Sequence, residues 1–195
     1  LIATNNNGKI IELQDLLKDT GIQLLTPADI HLSLEVDEDG ATYAENASKK
    51  AVAFALASGL ISLADDSGLE VDALDGAPGL YSARYHPKSG AKDADRRAYL
   101  LQNLKDKPRP WTARFRATIA IAIPGKDVLL AEGTCEGEII PEERGAGGFG
   151  YDPIFFIPEL NKTMAELDMD QKNRLSHRAR AMMNAMPILK KLFGV

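Results

Sequence analysis

The chain has 195 residues, with 23 Lys and Arg against 28 Asp and Glu, for a formal net charge of −5, and a single cysteine, Cys135. Neither sign runs in long blocks, which disfavours a nucleic-acid backbone or an anionic membrane as partner, and one cysteine excludes an internal disulfide framework. With no apolar run of spanning length and no signal-peptide pattern, the expected compartment is the cytoplasm, and residues 1–195 read as one domain. Leu1 opens inside a strand-like segment without an initiator Met, so a few residues are expected to precede it.

Leu1 to Thr4 reads as a short buried strand, and Asn5-Asn6-Asn7-Gly8-Lys9 as a polar turn into a helix with Ile10, Leu13 and Leu17 on one face. Strand, turn and helix open an α/β protein. Ile22 to Leu25 suggests a second strand. An acidic loop, Glu35 to Gly40, precedes Thr42, and Glu45 three residues on completes a capping-box pattern for a long helix. Its apolar stripe is Ala44, Ala47, Ala51, Phe54 and Ala55, flanked by Asn46 and Lys50. Leu60 to Ala64 reads as a buried strand that stops at Asp65-Asp66-Ser67-Gly68, a position where open α/β sheets place ligands.

A loop-rich stretch leads to a helix over residues 93–104. Two longer strands, residues 111–123 and 128–139, follow as a hairpin turning at Pro124 to Asp127, and Ile154 to Ile157 is another short strand. A C-terminal helix carries Leu175, Ala179, Met182, Met186, Leu189 and Phe193 on one face, and Pro187 is expected to kink or restart it.

Three segments could carry chemistry. The turn from Thr4 to Lys9 offers backbone N–H groups, a helix N-terminus and a lysine to a phosphate, without the spacing of a Walker A loop. In Asp65-Asp66, successive side chains on an extended backbone point to opposite faces, so one of the two looks toward a ligand. That carboxylate, with one from Asp37 or Glu38, could hold Mg²⁺, which takes one or two carboxylates and completes its shell with water and phosphate oxygens. Within Gly145 to Pro153, four glycines surround Phe149 and Tyr151, so the backbone can approach a flat heterocycle while Phe149 offers a ring face and Asp152 accepts N–H bonds from its edge. Ser176-His177-Arg178 stands near a helix start, where the dipole disfavours cations; either a ligand or nearby carboxylates must compensate, unless the helix begins at Asp168.

Together these segments resemble the inosine triphosphate pyrophosphatase family, the Ham1-like nucleoside triphosphate pyrophosphatases, over essentially the whole chain. The resemblance rests on Thr4-Asn5-Asn6-Asn7-Gly8-Lys9, Glu45-Asn46-Ala47 with Lys50, and Ala64 to Leu69, followed by Gly76 to Arg84, Gly147 to Pro153 and Ser176-His177-Arg178. It implies an α/β fold with an elongated central mixed β-sheet flanked by helices, two lobes around a nucleotide-binding cleft, and a homodimer. By the same resemblance, Thr4, Asn5, Asn6, Asn7, Gly8 and Lys9 bind phosphates and Asp66 is the proton acceptor. Asp37, Glu38 and Asp66 are its candidates for Mg²⁺. Lys50 joins Asp66 in the catalytic set; Ser67 and Lys172 contact substrate; Phe149, Gly150, Tyr151 and Asp152 hold the base; and His177 and Arg178 approach the purine 6-position.

The implied reaction is attack of water on the α-phosphate of a purine nucleoside triphosphate, releasing monophosphate and pyrophosphate. Inosine and xanthosine bases carry a 6-oxo group and an N1–H, whereas adenine carries a 6-amino group and no N1–H, so Arg178, a pure donor, is expected to favour the former. A purine-nucleotide sensor without turnover and a pyrophosphatase for another modified nucleotide are the competing readings.

Overall fold

The computed structural model describes residues 1–195, and its helices begin where the sequence supplies caps. Asn6 accepts from the Lys9 N–H and starts α1 (Asn7–Leu17). Thr42 accepts from the Glu45 N–H ahead of α2 (Tyr43–Ser58), while Glu45 accepts from the Ala41 N–H at 2.8 Å, so the expected box closes one residue upstream of the cap. α3 is Asp93–Leu104. Asp168 and Gln171 form a full capping box before α4 (Met169–Leu175).

The expected single C-terminal helix is two. Ser176 leaves helical dihedrals (φ −63, ψ 155), and α5 (His177–Phe193) starts after it, so Leu175 belongs to α4. Pro187 does not restart α5, which runs through it. Both Pro187 and Met183, whose carbonyl loses its N–H partner, lie on the exposed side, where water can replace the missing bond. Phe193, expected on the buried face, is 42% exposed.

β1 (Ser62–Val71), β2 (Trp111–Ala122), β3 (Leu129–Ile139), β4 (Phe155–Ile157) and β5 (Lys162–Thr163) hydrogen-bond in chain order as one antiparallel sheet flanked by helices. Glu138 stands opposite Phe156, and Phe156 opposite Thr163. Parallel pairing enters at an isolated bridge between Ile2 and Leu63. Two expectations change here. Ile22 to Leu25 is not a strand, although the Ile2 N–H donates to the Leu25 carbonyl at 2.8 Å. β1 does not stop at Ala64 but continues through both aspartates to Val71, because Leu69 and Val71 resume the buried apolar pattern and the aspartates meet cations.

The chain forms two compact units. The first comprises Leu1–Ser67, Ala117–Gly133 and His177–Val195. Here period-two alternation sorts the strands' side chains onto two faces. Leu63, Ala117, Ile119 and Ile121 join α1 (Leu13, Leu17) and α5 (Ala181, Met182, Ala185, Leu189) in one cluster. Ala64, Ala120 and Ala122 join Ala47, Ala51, Phe54 and Ala55 of α2 in another. The alanines let α2 approach the sheet closely.

The second unit comprises Gly68–Arg116 and Thr134–Ser176. Leu100 and Leu104 of α3, Phe115, Tyr151, Ile154 and Phe155 fill its core, with the Phe115 and Phe155 rings 4.5 Å apart.

In the first unit, Gly133 of β3 touches the start of α5 so closely that an added Cβ would stand 2.2 Å from the Ala181 nitrogen and 2.3 Å from the His177 oxygen. Backbone cannot yield as a flexible side chain does. Gly133→Ala is therefore expected to cost about 1–3 kcal/mol or more in urea unfolding, and an unchanged midpoint would refute this contact.

Candidate functional site

The site in the first unit follows from the alternation of β1. Asp65 shares its face with Leu63, toward α1 and α5; Asp66 shares its face with Ala64, toward α2. Both carboxylates are buried, at 0% and 6% exposure, and each meets cations from the helix on its own side.

Asp65 Oδ2 receives Arg178 Nη2 at 3.0 Å and Lys9 Nζ at 2.8 Å. Arg178, 1% exposed, also donates through Nη1 to Glu12 and through Nη2 to Ser67 Oγ at 3.1 Å. Burial alone would raise the Asp65 pKa, yet Arg178 and Lys9 hold it well below the carboxylate range; the same pairing raises Arg178 against its own burial. Of the two compensations open for a cation at this helix start, the structure supplies protein carboxylates. Arg178 is thereby placed as a buried anchor, and the neighbouring His177, 5% exposed, adds positive field at Asp65.

On the α2 side, Lys50 Nζ donates to Glu38 Oε1 at 2.5 Å, to Asp66 Oδ1 at 3.2 Å and to the Asp65 carbonyl at 2.9 Å. Lys9 Nζ reaches the same carbonyl at 3.2 Å, so two ammonium groups share one backbone oxygen. Burial lowers the Lys9 pKa, with Lys50 and Arg178 pushing the same way against Asp65. Lys50 is raised: burial opposes its charge, but Asp66 and Glu38 outweigh it. Burial raises Asp66 above an ordinary aspartate despite both lysines, which suits a proton acceptor.

The acidic loop is tied to α2 rather than free in solvent. Asn46 Oδ1 accepts from the Gly40 N–H at 2.8 Å, Lys49 pairs with Asp39, and Glu38 reaches Lys50. Glu38, not the exposed Asp37, is brought to Asp66 and Lys50. At the opposite end of the cluster, Thr4 Oγ1 accepts from the Asn6 N–H at 3.2 Å and Asn5 donates to the Leu34 carbonyl at 3.2 Å. Asn6 takes the Lys9 N–H at the head of α1, where Asn7 is exposed and Gly8 half-buried; the first turn of a helix suits an anion.

In the second unit, the glycine loop brings Phe149, Asp152 and Lys172 together. Asp152 Oδ2 accepts from the Phe149 N–H at 3.0 Å and from Lys172 Nζ at 2.7 Å, and that ammonium stands 5.4 Å from the half-buried Phe149 ring. Gly148, at φ +70, sits where a Cβ would fall 2.1 Å from Asp152 Oδ2, so the turn demands glycine there. The Tyr151 side chain is committed to the core, 4% exposed, with its hydroxyl donating to the Ser82 carbonyl at 2.9 Å.

Glu12 was not singled out in the sequence, and Asp65 was not assigned as the partner of Arg178. A signal existed: Lys9, Glu12 and Leu13 are three and four residues apart, on one helical face, so Glu12 borders the buried stripe.

Because Asp65 titrates lower folded than unfolded, its stabilisation is complete above about pH 4 and is lost as pH falls toward the folded value. Asp65→Asn should therefore cost about 3–5 kcal/mol at neutral pH by leaving Arg178 undercompensated. The gap between variant and wild type in urea unfolding should narrow progressively in acid; a constant gap would contradict the pairing.

The model of the Ham1 family matches residues 1–188. A dITP/XTP pyrophosphatase of Desulforamulus reducens is 52% identical over 99% of this chain and 96% of its own, and one of Bacillus subtilis is 43% identical over 97% and 96%. Among solved structures, a HAM1 protein from Coxiella burnetii (39% identity, 97% of both chains) superposes with a TM-score of 0.87, and the Staphylococcus aureus Ham1 protein (38% identity, 97% of both chains) with 0.84. With caps, strands and the paired aspartates arranged as described and the family model spanning nearly its full length, this chain belongs to the Ham1 family.

Proposed function

We propose that this chain hydrolyses deaminated purine nucleoside triphosphates, ITP, dITP and XTP, to the monophosphate and pyrophosphate, clearing them from the nucleotide pool. The observation that carries the reading is the convergence of Lys9 and Lys50 on one carbonyl oxygen beside the buried carboxylate of Asp66. Two ammonium groups held that close favour a polyanion. Lys9, Lys50 and the head of α1 take the phosphates, and Asp66, with its raised pKa, orients and deprotonates the attacking water.

Mg²⁺ fits the residues present. Glu38 and Asp66 converge on Lys50, and the neighbouring buried Asp65 Oδ1 has no hydrogen-bond partner. No group of three or more His, Cys, Asp or Glu side chains gathers as a metal cage, consistent with an ion that takes two carboxylates and fills its shell from water and substrate. Glu38 and Asp66 would hold it. When bound, it screens phosphate charge and polarises the phosphoryl oxygens.

For the base, Phe149 offers a stacking face, and Lys172 and Asp152 place a donor beside an acceptor. A 6-oxo purine with N1–H presents the complement, an acceptor beside a donor; adenine presents the reverse and would leave buried groups unpaired. Because the donors of Arg178 are engaged by Glu12, Asp65 and Ser67, we assign the 6-oxo preference to Lys172 with Asp152. No helix of the structure is long and apolar enough to cross a membrane. We place the enzyme in the cytoplasm, where nucleotides are polymerised, as a homodimer; exposed Leu129 and Leu130 on β3 and Met183 on α5 support self-association.

Side-by-side assays of ITP, dITP, XTP, GTP and ATP with Mg²⁺ should show pyrophosphate release from the deaminated substrates at least about 100-fold faster than from ATP, and none in EDTA. Equal rates on ATP and ITP would defeat the selectivity reading. Asp66→Asn is expected to lower kcat by about 10²–10⁴ while leaving ITP binding in place; full activity in that variant would remove Asp66 from the chemistry. Sedimentation equilibrium should return twice the chain mass, and a monomer at micromolar concentration would rule out the homodimer.

A further inference from the structure

The glycine loop is also held by α3, which hydrogen-bonds its main chain at Gly150. Asp93 and Arg97 lie four residues apart on α3 and therefore on one face. The Gly150 N–H donates to Asp93 Oδ2 at 2.7 Å, and Arg97 Nη1 donates to the Gly150 carbonyl at 2.8 Å. The other edge of Arg97 forks onto Glu143, Nε to Oε1 and Nη2 to Oε2, both at 2.8 Å. Asp93 Oδ1 is in turn held by Arg96, whose Nη1 is itself anchored on the Ala91 carbonyl at 2.6 Å.

We propose that Asp93 and Arg97 are positioning residues for base recognition, acting as a clamp on both sides of the Gly150 Cα. A glycine's two backbone torsions are otherwise the freest in the chain, and Gly150 stands at φ +61 between Phe149 and Asp152. Rotation there would swing the Phe149 ring away from the Asp152–Lys172 pair. Charged partners on its N–H and its carbonyl hold both torsions, and the fork onto Glu143 locks the Arg97 side chain, 12% exposed, in the rotamer that reaches the loop. The clamp touches main chain alone, so it sets the position of the recognition groups without contacting the nucleotide. This inference rests on the reading of Phe149, Asp152 and Lys172 as the base site.

The test compares Arg97→Ala, Arg97→Lys and Asp93→Asn with Phe149→Ala and the double variant F149A/R97A, reading kcat, KM for ITP and ATP, and Tm. Arg97→Ala should raise KM for ITP about ten-fold, change kcat by less than about two-fold, and lower the preference for ITP over ATP; Arg97→Lys should recover part of the loss. Because the clamp acts through the loop, Arg97→Ala should add less than about two-fold in the Phe149→Ala background. If Arg97→Ala does not fold, Arg97→Lys and Asp93→Asn carry the same expectation at about three-fold. An ITP preference unmoved in the clamp variants but lowered in Phe149→Ala overturns the clamp. A preference unmoved in Phe149→Ala as well overturns the base reading beneath it.

Discussion

The Asp65 carboxylate, buried and held by Arg178 and Lys9, is the interaction on which the first unit depends. An unpaired charge at that depth would cost several kcal/mol, and the protein meets the cost with two cations carried on two different helices. The result couples three elements: β1 supplies the acid, α1 supplies Lys9 and Glu12, and α5 supplies Arg178. Where α5 begins therefore matters as much as which residues it carries. Ser176 breaks the helical path, Gly133 lets the new helix lie against β3, and Arg178 then falls within reach of Asp65.

The carboxylate proposed as proton acceptor lies one residue further along the strand. Asp66 faces the small-residue surface of α2, where Ala47 and Ala51 allow an approach close enough for the Lys50 ammonium to touch both its carboxylate and the Asp65 carbonyl. The two neighbours thus divide the work. Asp65 is held ionised by Arg178 and Lys9, both on Oδ2, as suits an anchor, whereas burial raises the proton affinity of Asp66. A single step in the pleat separates a carboxylate held below the usual range from one raised above it.

Much of this was legible in the chain. The polar turn at Asn5–Lys9 and the cap at Thr42 placed α1 and α2, the Pro124–Asp127 turn placed the long hairpin, and opposite facings for Asp65 and Asp66 followed from the extended backbone alone. What escaped was tertiary. Two adjacent aspartates look like the end of a buried strand until cations from other elements are known to meet them, so β1 was cut short at Ala64. Local signals at Asp168 and Ser176 competed as helix starts, and both prove real because there are two helices. The protein partners of Arg178, Glu12 and Asp65, lie 166 and 113 residues away in sequence, beyond any local pattern. That Glu38 rather than Asp37 reaches Lys50 likewise depends on Lys49 and Asn46 lacing the loop to α2.

The alternation along β1 also limits how this gene can change length. Deleting or inserting one codon between Leu63 and Asp66 would exchange the faces of every residue beyond it, presenting Asp66 to Arg178 and Asp65 to Lys50. Composition would hardly alter, yet the two acids would trade environments. The hairpin at Pro124–Asp127, set in solvent, is free of that frame and can accept added residues.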